Sequence, residues 1–203
     1  MPVHGRSSFE NIYAGQLRWE IGRAQQAFLD VADLITGSLL DAGAGTGENA
    51  LFFARRGLKV TGIDFLSEPI QRAKEKAAER RLTATFLVMD ALGLQELPEV
   101  FDSVIDSGLF HVFSDEDRAR YVAGLARVTE PGGRVFLLCF SDEEPGTQGP
   151  RRVSQREIRD AFADGWTVEE IRAVQVEVIP DLKDFTFSEG GPKAWFAVVR
   201  RNG

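Results

Sequence analysis

Three carboxylates stand at comparable places along the chain. Asp41 closes the apolar run Leu39-Leu40, Asp64 closes Val60-Thr61-Gly62-Ile63, and Asp90 closes Phe86-Leu87-Val88-Met89. Each run reads as a buried strand, so the three acids are expected together at one edge of one sheet. A carboxylate at a buried edge costs desolvation unless something pairs with it, and a recurring set therefore points to a ligand rich in donors or positive charge. Between the first two acids lies Gly43-Ala44-Gly45-Thr46-Gly47-Glu48-Asn49. Glycine at every second position permits a sharp turn and lets a ligand lie against bare backbone amides. A helix that follows adds its unpaired N–H groups and its dipole. An acid about twenty residues beyond the first glycine is placed to accept hydrogen bonds from ribose hydroxyls. A plain strand-to-helix turn would use the same glycines, and the acids are what separate the two readings.

The elements around these residues alternate. The pattern predicts strands over 39–41, 59–63 and 84–89, helices over 49–56 and 68–81, a strand over 103–105, a helix over 116–129 stopped by Gly132-Gly133, and a strand over 134–140. Such alternation builds a parallel, doubly wound sheet with helices on both faces, whose ligands bind beyond the carboxyl ends of the strands. Ahead of it, Arg23 to Asp33 reads as a helix with Ala24, Ala27, Phe28, Val31 and Ala32 on one face. Behind it, Ser154 and Glu157 form a capping-box pattern, and two β-prone runs near 168–179 and 195–199 read as closing antiparallel strands. The connection between those runs is too long for a tight turn and reads as a functional loop. The charged run 74–81 reads as a solvated helix face. Trp19 serves either to staple the N-terminal arm to the core or as part of a lid.

With 203 residues the chain is expected to fold as a single domain. Within it, residues 1–37 form an arm and lid, 38–140 the ligand-binding core, and 141–203 the part carrying substrate-side loops. The 31 acidic against 24 basic residues argue against a nucleic-acid partner. One cysteine, Cys139, and two histidines, His4 and His111, offer no metal-ligand cluster, and Cys139 reads as an inert strand residue. No apolar run suits a signal peptide or a membrane span, so a cytoplasmic protein is expected. Nothing in the pattern fixes an oligomeric state, and a monomer is compatible with it.

Taken together, Leu40-Asp41-Ala42-Gly43-Ala44-Gly45-Thr46-Gly47, Gly62-Ile63-Asp64, Met89-Asp90-Ala91, Phe101-Asp102-Ser103-Val104-Ile105-Asp106 and Pro131-Gly132-Gly133-Arg134-Val135 resemble the class I methyltransferases that use S-adenosyl-L-methionine. The resemblance implies a Rossmann-like, mostly parallel seven-stranded sheet with an antiparallel C-terminal strand. It also implies that Gly43 and Gly45 pass close to the methionyl and ribose parts of the donor, and that Asp64 holds the ribose hydroxyls. Asp90 and the Ala91 amide would meet adenine, and Asp41 would attract the cationic methionyl group. Trp19, Ala44, Phe65 and Asp106 complete the implied donor set. Trp19-Glu20-Ile21-Gly22 with Gln25, and Asp106-Ser107-Gly108-Leu109-Phe110-His111, are similar to the thiopurine S-methyltransferase-like branch, with Ala24 and Gln26 where that branch carries prolines. That branch implies a small aromatic or heteroaromatic methyl acceptor, with Tyr13, Phe110, His111, Phe185 and Phe187 as its contacts.

The chemistry expected is direct in-line displacement by an acceptor oxygen, sulfur or nitrogen, for which alignment contributes more than a base. His111 is the candidate general base, or else a structural histidine of its loop. Two other readings are a catalytically silent donor-binding sensor and a nicotinamide-dependent oxidoreductase. The second is disfavoured because Glu48 stands where G-x-G-x-x-G has its last glycine. An edge carboxylate serving ribose is expected to have few structural partners, so Asp64 should matter to binding more than to folding.

Overall fold

The computed structural model describes residues 19–179 and 187–203. Tyr13 and Phe185 lie outside the described residues. In chain order the described elements are α1 (Gln26–Leu29), β1 (Ser38–Ala42), α2 (Glu48–Arg55), β2 (Lys59–Asp64), α3 (Ser67–Glu79), β3 (Thr85–Val88), β4 (Phe101–Ser107), α4 (Asp115–Val128), β5 (Thr129–Phe140), α5 (Gln155–Ala161), β6 (Trp166–Gln175) and β7 (Lys193–Arg201). Short 3-10 turns, Ala91–Glu96 and Phe110–Val112, follow β3 and β4.

The strands form one seven-stranded sheet in the order β3-β2-β1-β4-β5-β7-β6. β1 to β5 pair in parallel, and β7 runs antiparallel to both β5 and β6. One reversed strand is therefore set into an otherwise parallel Rossmann-like sheet, as the sequence leads one to expect. Strand order reverses between β1 and β4, so their carboxyl ends open the crevice where such sheets bind ligands.

Alternation along the central strands decides which layer each side chain joins. Leu40, Val104, Val135 and Leu137 pack with α4 and α5 residues such as Tyr121, Leu125 and Ile158. Their neighbours Leu39, Ile105, Phe136 and Leu138 pack on the other face with Phe28, Phe53, Ile70 and Ala73. Strands buried on both faces must be apolar almost throughout, which is why these runs carry no solvent-facing alternation.

Three expectations are corrected. The helix expected over 23–33 is only one turn, Gln26–Leu29, and continues as turns in which Ala32 and Leu34 donate back to Leu29 and Val31. Its apolar face is still buried, but Gln25 and Thr36 are committed to Asn49 and Ser103 and so pin the segment at both ends. Gly132-Gly133 does not stop a helix. α4 ends at Val128, Thr129 is already extended and paired with Phe101, and the glycines carry an irregularity within β5. There Gly132 has a φ of +83°, and a Cβ on Gly133 would lie 2.8 Å from the Asp102 carbonyl oxygen. The run 74–81 is not merely solvated, because Lys76 and Arg80 hold carboxylates described below.

The capping box of α5 is formed, with the Ser154 hydroxyl accepting from the Glu157 N–H and Glu157 accepting from the Ser154 N–H. Burial alone would raise the pKa of Glu157, but Ser154, Arg151 and Arg118 hold it at about 2. A depressed folded-state pKa stabilises above the ordinary glutamate range and loses that stabilisation as pH falls from about 4.5 toward 2. Replacing Glu157 with Gln should cost about 1 kcal/mol at neutral pH, with solvent screening of this partly exposed pair allowed for. In urea unfolding the gap between variant and wild type should narrow steadily below about pH 4.

Candidate active site

The glycine loop links β1 to α2 at the point where strand order reverses. Gly43 and Gly47 have φ of +76° and +86°, which other residues adopt only with strain. A Cβ on Gly47 would lie 2.9 Å from Ala73 Cβ and 3.0 Å from Phe86 Cζ, so this glycine also lets α2 start against α3 and β3. The Ala44 N–H donates to Ile63 O at 2.7 Å and fixes the loop to the end of β2.

Asp41 is 1% exposed, and its Oδ2 accepts the Ala50 N–H at 3.1 Å. Its Oδ1 is buried and has no hydrogen-bond partner. Burial, and then the nearby Asp106 and Asp64 carboxylates, push its pKa up to about 7 against the single Ala50 bond. Asp106 is also buried and raised to about 7, yet its carboxylate accepts Leu109 N–H at 2.8 Å, Phe110 N–H at 3.1 Å and Tyr121 O–H at 2.9 Å. Asp106 is therefore the better hydrogen-bonded of the two, and Asp41 is the one left with an unpartnered oxygen.

Asp64 accepts Gly45 N–H at 3.1 Å through Oδ2 and Leu66 N–H at 3.0 Å through Oδ1. Few structural partners were expected of it, and these two backbone bonds do structural work: the carboxylate clamps the glycine loop to the turn after β2. Phe65 follows it, half-buried. Asp90 is exposed and caps the 3-10 turn by accepting from Leu92 N–H at 2.9 Å, which presents the buried Ala91 at the end of β3.

Trp19 lies at 43% exposure beside a network that sequence reasoning missed. Lys76 Nζ donates to Glu20 at 2.7 Å and to Thr46 Oγ1 at 2.8 Å, and pairs with Glu48, while Thr46 donates to Glu20. Arg80 forks onto Glu48 at 2.8 and 2.9 Å. The arm is thus fastened to the glycine loop from above. Gln25 extends the join: its N–H donates to Asn49 Oδ1, and its side-chain amide exchanges two hydrogen bonds with the Glu177 backbone. Arg23 pairs with the Glu177 carboxylate. The W-E-x-G run was the only sequence signal for this arrangement.

On the other side of the crevice the structure brings His111 and Phe187 together through Phe140. The His111 and Phe140 rings meet edge to face at 5.1 Å, and Phe140 and Phe187 at 5.7 Å. His111 is buried, and its Nδ1 accepts the Phe140 N–H at 2.9 Å. Phe110 instead points into the core, fully buried, stacked on Phe162 at 6.0 Å and covered by Arg118. Cys139 is fully buried, and burial pushes its thiol far above the usual range.

The family model described as a methyltransferase domain matches residues 39–133. The chain is 34% identical to a 2-heptyl-1-hydroxyquinolin-4(1H)-one methyltransferase of Mycobacteroides abscessus, over 90% of this chain and 85% of that protein. It is 35% identical to a demethylmenaquinone methyltransferase of Thermus thermophilus, over 68% of this chain and 60% of that one. A solved structure concerned with conversion of a disulfide bond into a thioacetal group during echinomycin biosynthesis superposes with a TM-score of 0.84 at 35% identity, covering 98% and 93% of the two chains.

The Asp41 geometry makes a prediction about the ligand-free protein. A carboxyl group whose folded pKa is raised binds its proton more tightly in the folded state, so its burial destabilises increasingly as pH rises from about 3.8 to about 7. Asp41→Asn keeps an oxygen for the Ala50 N–H and removes that penalty. The variant should melt higher than wild type at pH 8 while binding S-adenosylmethionine at least tenfold more weakly. Thermal unfolding with and without the donor reads both effects.

Proposed function

Because the chain belongs to the class I S-adenosylmethionine-dependent methyltransferases and takes its methyl group from that donor, we propose that it methylates O, S or N of a small aromatic or heteroaromatic molecule by direct in-line displacement. The observation that supports this is a buried carboxyl oxygen without a partner, Asp41 Oδ1 at the carboxyl end of β1, together with the ring cluster of His111, Phe140 and Phe187 beyond the neighbouring strand ends of β4 and β5. When bound, S-adenosylmethionine supplies an electrophilic methyl group on a positively charged sulfur.

The chain's own residues fit that group in several ways. Asp41 offers the oxygen on which a positive charge gains most, since it is already desolvated. Gly43 and Ala44 are only partly buried and allow close approach to the loop, Asp64 and Asp90 stand at the next two strand ends, and Ala91 lies beside Asp90. A pyrophosphate is a poor guest here, because Glu48 stands where the dinucleotide-binding pattern has its last glycine. The nicotinamide reading is set aside on that ground. We read residues 1–37 as a lid, supported by the seating of Glu20 on Thr46 and Lys76, and with it the likeness of Trp19–Gln25 to the thiopurine S-methyltransferase-like arm. Residues 141–203 then form the acceptor side, with Phe187 on the aromatic wall and Tyr13 and Phe185 as further contacts.

The names of the relatives support a flat, fused-ring acceptor: one acts on a 1-hydroxyquinolinone and the other on demethylmenaquinone. Alignment of such an acceptor is worth roughly 7–11 kcal/mol of barrier in favourable cases, so positioning residues do most of the catalysis. With methyl-labelled S-adenosylmethionine, label should pass to 2-heptyl-1-hydroxyquinolin-4(1H)-one or to a naphthol or thiophenol of similar size. Tight donor binding with transfer to none of a broad panel of phenols, quinols, thiols and heterocycles would contradict the proposal.

A further inference from the structure

Positive residues recur once per turn on α3. Arg72, Lys76 and the capping residue Arg80 stand four residues apart and so line one stripe of the helix. Like charges at that spacing repel one another, which favours acids between them. Two acids from elsewhere in the chain fill the gaps. Glu20, ahead of α1, pairs with Lys76 at 2.7 Å and with Arg72 at 3.7 Å, and Glu48, at the start of α2, pairs with Lys76 and Arg80 at 2.8 Å each. Burial works to raise the pKa of both acids, yet Lys76, with Thr46 at Glu20 and Arg80 at Glu48, holds them below the usual range.

The directions of the hydrogen bonds single out Lys76. An ammonium group has three protons and can only donate. Lys76 directs them to Glu20, to Glu48 and to Thr46 Oγ1, the last at 2.8 Å. Having accepted from Lys76, the Thr46 hydroxyl turns its own proton to Glu20 Oε1 at 2.9 Å. Lys76, Thr46 and Glu20 thus close a triangle that joins α3, the glycine loop and the segment ahead of α1. Because the Lys76 and Glu20 side chains are only 20% and 23% exposed, salt screens these contacts less than it would a surface pair.

Two residues beyond Glu20 the same segment has a pivot. Gly22 has a φ of +75°, and open space surrounds the place where its Cβ would stand. Past the pivot, Gln25 is tied to Asn49 and to the Glu177 backbone. The segment is therefore anchored on one side of a glycine and held on the other by the Glu20 side chain, whose contacts can part without breaking the anchor.

Resting on the reading of residues 1–37 as a lid, we propose that Lys76 is a positioning residue of the donor site: it latches the segment ahead of Gly22 onto the glycine loop, and S-adenosylmethionine leaves once that latch opens. Lys76 acts through Glu20 and Thr46. Since Thr46 lies between Gly45 and Gly47, its hydroxyl carries the state of the latch directly to the loop.

The rate at which labelled S-adenosylmethionine leaves, chased with excess unlabelled donor in the absence of an acceptor, measures the latch. Lys76→Met and Glu20→Ala should each speed release about tenfold or more. The double variant should be at most about twofold faster than the faster single variant, because both substitutions remove the same coupled contact. Thr46→Val should also release quickly, whereas Thr46→Ser keeps the hydroxyl and should stay within about twofold of wild type. Release unchanged in the single variants, or effects that multiply in the double, would overturn the proposal. A role in stability alone would lower the melting temperature of the ligand-free variants and leave release untouched. Hydrogen exchange of the peptide carrying residues 19–25 separates lid from latch: the donor should slow exchange in wild type and much less in Lys76→Met. Absence of donor protection in wild type would overturn the lid reading and the latch with it, while protection that persists in Lys76→Met with release unchanged would overturn the latch alone.

Discussion

Folding this chain buries the Asp41 carboxyl group at the end of a central strand and leaves one of its oxygens without a donor. An unpaired polar atom in such a place is expensive, and the local design shows why it is tolerated. The neighbouring acids each have structural partners of their own: Asp64 ties the glycine loop to the turn after β2, Asp90 caps the turn after β3, and Asp106 organises the turn after β4 with Tyr121. Asp41 alone is left with unspent electrostatic capacity. On the reading proposed above, such a site receives positive charge without any of these side chains having to leave a partner.

The same edge of the sheet also joins the N-terminal and C-terminal parts of the chain. The arm reaches the donor loop through Glu20, Thr46 and Lys76, and reaches the C-terminal half through Gln25, Arg23 and Glu177. Asn49, in the first turn of α2, holds the Gln25 N–H. The start of α2, the segment ahead of α1 and the segment after β6 thus meet at one residue, Gln25. His111 completes the hydrogen bonding of β5 where β4 ends, so its ring is positioned by the sheet itself. Binding groups set on a rigid edge in this manner can be held to the narrow tolerances that methyl transfer requires.

Much of this was legible in the sequence. Alternating apolar runs gave the parallel sheet, and the run 195–199 gave a closing strand, because strands buried on both faces leave an unmistakable pattern. The acids read as strand ends do lie at the carboxyl ends of β1 and β2 and just past β3. What the sequence could not show was which acids would be used up by the backbone. Asp64 and Asp106 are indistinguishable from Asp41 by type and place, and only their contacts with Gly45, Leu66, Leu109, Phe110 and Tyr121 set them apart. The short helix α1 was overread because its apolar spacing survives as turns whose ends are fixed by distant residues. Lys76 and Arg80 were hidden for a related reason: a mixed-charge helix looks solvated until its partners, Glu20 and Glu48, are brought from elsewhere in the chain. The direction of the His111 hydrogen bond likewise depends on where β4 stops, which no local pattern encodes.

The central claim is that Asp41 holds a proton in the ligand-free protein and gives it up to a cationic donor. Calorimetric titration of S-adenosylmethionine at about pH 6, in two buffers of different ionisation enthalpy, counts the protons exchanged on binding. Close to one proton should be released by wild type and almost none by Asp41→Asn. Equal proton release by the two proteins, or none by either, would contradict the account.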